Sequence, residues 1–217
     1  MKVKLCGFKT QESIASAVKK HANYIGFVFC PESPRYVEPD LAFELSKAIP
    51  ATIDKVAVFA DIDLTIIKKV YKTLKPQYFQ FHGKETVGFL EKIQEIFPNV
   101  KIIKAFQISS FSDLRNVHKF QKCCDAYLFD SKPLKGSLSA ISGGSGRSFD
   151  WKILSSFRSK KPWFLAGGIN IKNIDDALKI TGATMVDISS GVEVEKGVKS
   201  LEMIESLMDK IHNANQN

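Results

Sequence analysis

What this 217-residue chain lacks narrows it first. No apolar run approaches the roughly 20 residues that cross a bilayer. The start, Met1-Lys2-Val3-Lys4, has none of the apolar core of a secretory signal. A cytoplasmic location without a membrane partner is therefore expected. Cysteine is scarce: Cys6, Cys30, Cys123 and Cys124, with no CxxC and with the last two adjacent, a poor basis for a bridge. Reduced thiols fit a chain long enough to bury a core, with 44% hydrophobic residues. The four histidines, His21, His82, His118 and His212, are scattered, and no HExxH or Cys/His cluster argues for zinc. Arginine is scarcer still, at only four of the 31 basic residues. The net charge of +8 invites a nucleic-acid reading, but specific recognition favours arginine, and no helix-turn-helix, zinc-finger or aromatic-strand motif is visible. A lysine-rich solvated surface without a nucleic-acid partner is the plainer reading, and its field would also draw an anionic small molecule. There is no linker or low-complexity tract, so residues 1–217 are read as a single domain, with 212–217, "HNANQN", as a frayed tail.

What is present is alternation. Short runs rich in Val, Ile, Phe and Tyr recur at 2–7, 24–29, 55–60, 78–83, 101–107, 126–131, 162–168 and 185–191. Between them lie helical patterns. "TQESIASAVKKHA" has Thr10 as its N-cap and stacks Ile14, Val18 and Ala22. "EPDLAFELSKAI" repeats Leu41, Leu45 and Ile49 behind Pro39. "LTIIKKVYKTL" groups Ile66, Ile67, Val70, Tyr71 and Leu74, and "NIKNIDDALKI" offers Asn170 as a cap. "LEMIESLMDKI" repeats Ile204, Leu207, Met208 and Ile211. Strand then helix, eight times, predicts an α/β fold of one kind, a single (β/α)8 TIM barrel. A doubly wound open sheet also alternates, but its first turn should carry GxGxxG, and here that turn reads Cys6-Gly7-Phe8-Lys9-Thr10.

In such a barrel the active site lies at the C-terminal ends of the strands. Strand one ends on Cys6, strand four on His82-Gly83 and strand six on Asp130, while strand two runs into a proline-bounded loop carrying Arg35. Each has a plainer reading: a small buried hydrophobe, a structural hydrogen-bond donor, a cap of the next turn, a surface cation. Asp187 is harder to dismiss, because the pleat turns it away from Val186 and Ile188 toward the barrel mouth, where a carboxylate must have a partner. Lys104 raises a Schiff-base option, although it lies early in its strand. Glycines gather late, at Gly143, Gly144 and Gly146, at Gly167-Gly168 and at Gly191. Glycine lets backbone N–H groups approach an anion, and the last two strand-to-helix loops of these barrels commonly hold phosphate. A phosphorylated small molecule is the ligand these three sites predict.

The motifs, taken together, resemble those of the phosphoribosylanthranilate isomerases. They are Lys4-Leu5-Cys6-Gly7-Phe8, Gly26-Phe27-Val28-Phe29 with Ser33-Pro34-Arg35, and Gln80-Phe81-His82-Gly83. They continue with Gly143-Gly144-Ser145-Gly146 before Phe149-Asp150-Trp151, with Leu165 to Gly168, and with Asp187 to Glu193. The resemblance implies an Amadori rearrangement of a small phosphorylated anthranilate-ribose substrate, with no metal and no organic cofactor. It implies that Cys6 is the general base and Asp130 the general acid. It implies that Arg35 meets the anthranilate carboxylate, that Asp187 holds a ribose hydroxyl and that His82 is among the substrate-binding residues. The phosphate then falls to Gly144, Gly146, Gly167, Gly168, Ser190 and Gly191, and the "GGSG" loop closes over the site. A monomer and a homodimer both fit. Two departures stand out. Lys9 occupies the family's threonine position, and "EVEKGVKS" lacks the usual proline-glycine, a segment expected mainly to shape the lid and final helix at little functional cost. A related barrel, indole-glycerol-phosphate synthase, would call for a lysine acid at a strand end. An isomerase that also served histidine synthesis would place an aspartate where Cys6 stands.

Overall fold

Eight parallel strands close into a ring: β1 (Lys2–Cys6), β2 (Tyr24–Val28), β3 (Asp54–Phe59), β4 (Tyr78–Phe81), β5 (Lys101–Ile108), β6 (Ala126–Ser131), β7 (Trp163–Leu165) and β8 (Met185–Ile188). The ring closes because β1 pairs with β2 on one side and β8 on the other, with Cys6 opposite Gly26 and Lys4 opposite Asp187. The computed structural model describes residues 1–132 and 148–214. Parallel neighbours need a crossover between them. It is supplied by α1 (Gln11–Lys19), α2 (Pro39–Ser46), α3 (Leu64–Leu74), α4 (Val87–Ile96), a 3₁₀ helix (Phe111–Phe120), α5 (Lys152–Ser155) and α6 (Ile174–Thr181). The last helix, α7 (Leu201–Ala214), follows a small antiparallel hairpin of β9 (Glu193–Glu195) and β10 (Val198–Lys199). The predicted (β/α)8 barrel is thus the fold, and closure excludes the open sheet.

Alternation along each strand divides the core in two. Val3 and Leu5 of β1 point outward with Phe27, Phe79 and Phe129, and helix residues such as Ile14, Ile67, Leu90 and Leu207 cover them. Each such side chain, fully buried, contributes about 1.5–3 kcal/mol. Cys6 points inward with Val28, Val58, Ala105, Leu128 and Ala166. The lumen is closed from below by Tyr24, which meets Tyr78 and Phe164 edge-to-face at 5.5 and 5.3 Å between ring centres. Above this apolar plug the inward positions become polar, which prepares the site.

Local signals mostly survive. Thr10 caps α1, accepting from Ser13 N at 3.3 Å, so Lys9 does not disturb the start of that helix. Pro39 opens α2, and the predicted stripe of α7 is wholly buried. Three expectations are corrected. Leu41 and Ile66 are 47% and 40% exposed, because α2 turns Ala42 and Leu45 to the core and α3 turns Ile67, Val70 and Leu74, so the edge of each predicted face, not the face itself, is out of place. The cap position of α6 is Asn173, not Asn170; Asn170 Oδ1 accepts from Lys172 N in the preceding turn, and the helix begins at Ile174. Several predicted strands stop early because their terminal glycines belong to loops: β7 ends at Leu165, before Gly167 and Gly168.

Lys104 is not available for Schiff-base chemistry. It alternates with inward-facing Ile103 and Ala105, and its ammonium is bonded to Glu85 Oε2 at 2.8 Å, Gly83 O at 2.7 Å and Phe81 O at 3.3 Å. Glu85 Oε1 in turn accepts from Gly83 N and Asp61 N. This buried pair fastens the turn that follows His82. Lys104→Met leaves the Glu85 charge buried without its cation and should cost about 3–5 kcal/mol. Urea unfolding checks this, and Lys104→Met combined with Glu85→Gln should recover much of the loss.

Candidate active site

The C-terminal ends of the strands converge on one pocket. Cys6, Arg35, His82, Asp130 and Asp187 all line it, together with Gly167, Gly168 and Ser190. Of the remaining predicted residues, Gly191 stands next to Ser190 in the short 3₁₀ turn after β8 (Ser190–Val192) but not in the lining. Gly144, Gly146 and the "GGSG" loop lie outside the described residues.

The thiol faces the mouth of the lumen because its neighbours make room. A Cβ at Gly26, its partner on β2, would lie 2.7 Å from Cys6 Sγ. Gly7 turns the chain at φ +86°, and a Cβ there would lie 2.6 Å from Arg35 Cδ, so the missing side chain is what lets the arginine lie across the end of β1. Burial raises the thiol above its ordinary value; Lys4 and Lys199 pull it down, and Asp187 pushes it up. At neutral pH the resting form is therefore the thiol.

Asp130 stands on β6, three strands from Cys6 by way of β8 and β7. Its Oδ1 accepts from Ser131 N at 2.7 Å, and its Oδ2 faces His82 Nε2 at 3.2 Å. Gln80 Nε2 lies 3.1 Å from His82 Nδ1. With that amide donating, the ring proton sits on Nε2 and points at Asp130. Both carboxyl oxygens are thus held in place by neighbouring donors. Asp187 has the partner its burial requires: Lys4 Nζ, 2.9 Å from Oδ1.

Arg35 presents its fork to Glu193, with Nε to Oε1 at 2.8 Å and Nη2 to Oε2 at 2.7 Å. Lys199 meets the same carboxylate at 2.7 Å and also bonds Ser189 O at 3.0 Å. Glu193 is driven down to about 2: burial opposes its charge, and Arg35 and Lys199 more than offset it. These three side chains together carry one net positive charge at the rim, suited to an anionic ligand. The hairpin therefore does more than shape the rim. Glu193 orients the arginine, and Ser189, held by Lys199, donates from its hydroxyl to Cys6 O at 3.0 Å. Lys9 also reaches this region, donating to Pro34 O at 2.9 Å. After β7, Gly167 and Gly168 take φ of +84° and +70°, and Asn170 and Asn173 donate to the Gly168 carbonyl, fixing the turn.

Residues 3–210 match the sequence profile of a family described as N-(5'-phosphoribosyl)anthranilate (PRA) isomerase. The chain belongs to that family. An N-(5'-phosphoribosyl)anthranilate isomerase of Brucella canis is 39% identical over 213 residues, covering 98% of this chain and 95% of the relative. The crystal structure of phosphoribosyl anthranilate isomerase from Thermotoga maritima superposes with a TM-score of 0.86 at 30% identity, over 100% of both chains. Another phosphoribosyl anthranilate isomerase, solved in complex with reduced 1-(o-carboxyphenylamino)-1-deoxyribulose 5-phosphate, gives a TM-score of 0.83 at 27% identity, covering 98% of this chain and 99% of that one. As a phosphoribosylanthranilate isomerase, the chain converts N-(5-phosphoribosyl)anthranilate to 1-(2-carboxyphenylamino)-1-deoxyribulose 5-phosphate in tryptophan biosynthesis.

Sequence reasoning about an isomerase of this family still missed Lys4, Glu193 and Lys199 as parts of the site. Lys4 lay within the quoted first motif, and Glu193 closed the last one. The only further signal available was the rule that a lumen carboxylate such as Asp187 needs a cation.

Proposed function

We propose that the isomerisation runs on Cys6 as general base and Asp130 as general acid. Asp130 protonates the furanose ring oxygen, the C1–O bond breaks, and the nitrogen lone pair makes C1=N⁺, an iminium. Cys6 thiolate then takes the C2 proton, and the electrons of that bond neutralise the iminium, giving an enolamine. The enolamine tautomerises to the ketone as C1 gains a proton and the C2 hydroxyl gives one up. The atoms of substrate and product are the same, and no redox partner is needed.

The observation that carries this reading is a thiol and a carboxyl that line the same pocket from well-separated strands, with Arg35 beside the first and the glycine turn after β7 near the second. Acid and base so spaced serve two different atoms of one sugar. Arg35 then meets the anthranilate carboxylate as a charge-assisted donor. Asp187 accepts from a ribose hydroxyl, and His82 keeps Asp130 in place against the substrate. The phosphate is received by Gly167, Gly168, Ser190 and Gly191, with Gly144 and Gly146 from the segment outside the described residues.

Turnover of phosphoribosylanthranilate, generated in situ and followed by its fluorescence, tests the reading. Purified protein should consume it with EDTA present as fast as without. An inert protein, or one that EDTA silences, would sink this reading.

A further inference from the structure

Cys6 has company in the lumen. Lys4 lies two residues earlier on the same inward face of β1, and barrel closure sets it opposite Asp187 of β8. It is wholly buried, at 0% exposure. Its ammonium bonds Asp187 Oδ1 at 2.9 Å, and the Cys6 side chain is its neighbour on the same face of the strand. An ammonium taken this far from water needs anionic partners. With the thiol protonated it has one, and with the thiolate formed it has two.

We propose that Lys4 is the positioning residue of the base, a counter-cation that receives the Cys6 thiolate and is itself aimed by Asp187. The proposal rests on reading Cys6 as the base, and it gives Asp187 a second duty besides the sugar. Other charged groups also face the sulfur's surroundings. Lys199 comes from β10, backed by Glu193 and Arg35, but its hydrogen bonds go to Ser189 and Glu193. Asp130 and His82 stand across the pocket.

The charge directions agree with this arrangement. Burial opposes the Lys4 ammonium, yet Asp187 and then Cys6 outweigh it and leave Lys4 above its ordinary value. Lys199 is pulled down, chiefly by burial, although Glu193 supports its charge. For the thiol, Lys4 is the largest influence opposing burial, and Asp187 acts against it. Lys4 and Asp187 thus have opposite signs at the sulfur, although they form a single ion pair.

That opposition gives a test that a merely structural pair would fail. The rate of Cys6 alkylation by iodoacetamide, read by peptide mass mapping across pH, reports the thiolate without reference to turnover. Lys4→Met should slow alkylation near neutrality about tenfold, as one pH unit does for a thiol below its pKa, and move the rise of kcat/KM to higher pH. Lys4→Arg should retain most of the wild-type rate. Asp187→Asn should speed alkylation severalfold even as turnover falls. Lys4→Met with Asp187→Asn replaces a neutral pair by a neutral pair, so it folds if the single variant does not, and it should alkylate slowly. Wild-type alkylation in the Lys4→Met proteins, or slowing in Asp187→Asn, would overturn the proposal. Full turnover by Cys6→Ala would instead overturn Cys6 as the base and leave the alkylation result standing.

Discussion

Cys6→Ala should lower kcat by about a thousandfold or more, within the roughly 10²–10⁴ that a positioned acid or base contributes. The loss follows from the step assigned to it: without a base near C2, the iminium opens and recloses without losing its proton. Cys6→Ser should fare little better, because an alcohol gives almost no alkoxide near neutrality. Two readings separate this from a collapse of the site. The thermal midpoint should hold to within a few degrees, since the change removes a single sulfur atom at the pocket lining. Binding of the reduced product analogue should persist. In the wild type, kcat/KM should rise with pH through neutrality, because burial holds the thiol above its ordinary value and the thiolate is the active form. Cys6→Ala should lose that rise, and its residual rate should show a larger isotope effect with C2-deuterated substrate. An unchanged kcat would remove Cys6 from the chemistry.

The barrel was legible because its grammar is local. Each strand announces itself in four to eight residues, and caps such as Thr10 and Pro39 act within one turn. The site was legible where a polar residue ended a strand: Cys6, His82, Asp130 and Asp187 all line the pocket. What stayed hidden depends on contacts across the chain. Lys4 and Asp187 are 183 residues apart and meet only when β8 closes on β1. Arg35 and Glu193 are 158 apart and meet through a hairpin that the periodicity does not announce. A lysine in a strand reads as a solvated charge until the lumen is known to surround it. Leu41 and Ile66 failed for a smaller reason: a helical stripe fixes a face to within about one position, and packing chooses between neighbours.

The pocket's charge follows a division of labour. Three pairs hold its buried cations: Lys4–Asp187 below the thiol, Arg35–Glu193 at the rim and Lys104–Glu85 behind the His82 turn. Among the described residues, Lys199 alone brings a second cation to a carboxylate already paired, and that surplus lies at the rim. Buried pairs of this kind add little net stability, but they fix orientation. Here they fix the groups on which the proposed proton transfers depend.

Asp130→Asn should be nearly as damaging, at about 10²–10⁴ in kcat, and for a different step. The amide keeps the size and its oxygen can still accept from Ser131 N, but its Nδ2 cannot accept from His82 Nε2, and it has no acidic proton for the ring oxygen. Ring opening becomes the slow event, and C2 deprotonation follows it. The isotope effect with C2-deuterated substrate should therefore vanish, the reverse of the Cys6→Ala result. Alkylation of Cys6 should proceed as in the wild type, since Lys4, Asp187 and Lys199, the charged groups that act on that thiol, are untouched. His82→Gln should cost less, because Ser131 N still holds Oδ1 and only the second donor on Oδ2 is weakened. If Asp130→Asn kept both its rate and its isotope effect, the acid would have to be another group, and His82, the polar neighbour on Asp130 Oδ2, would be the residue to replace next.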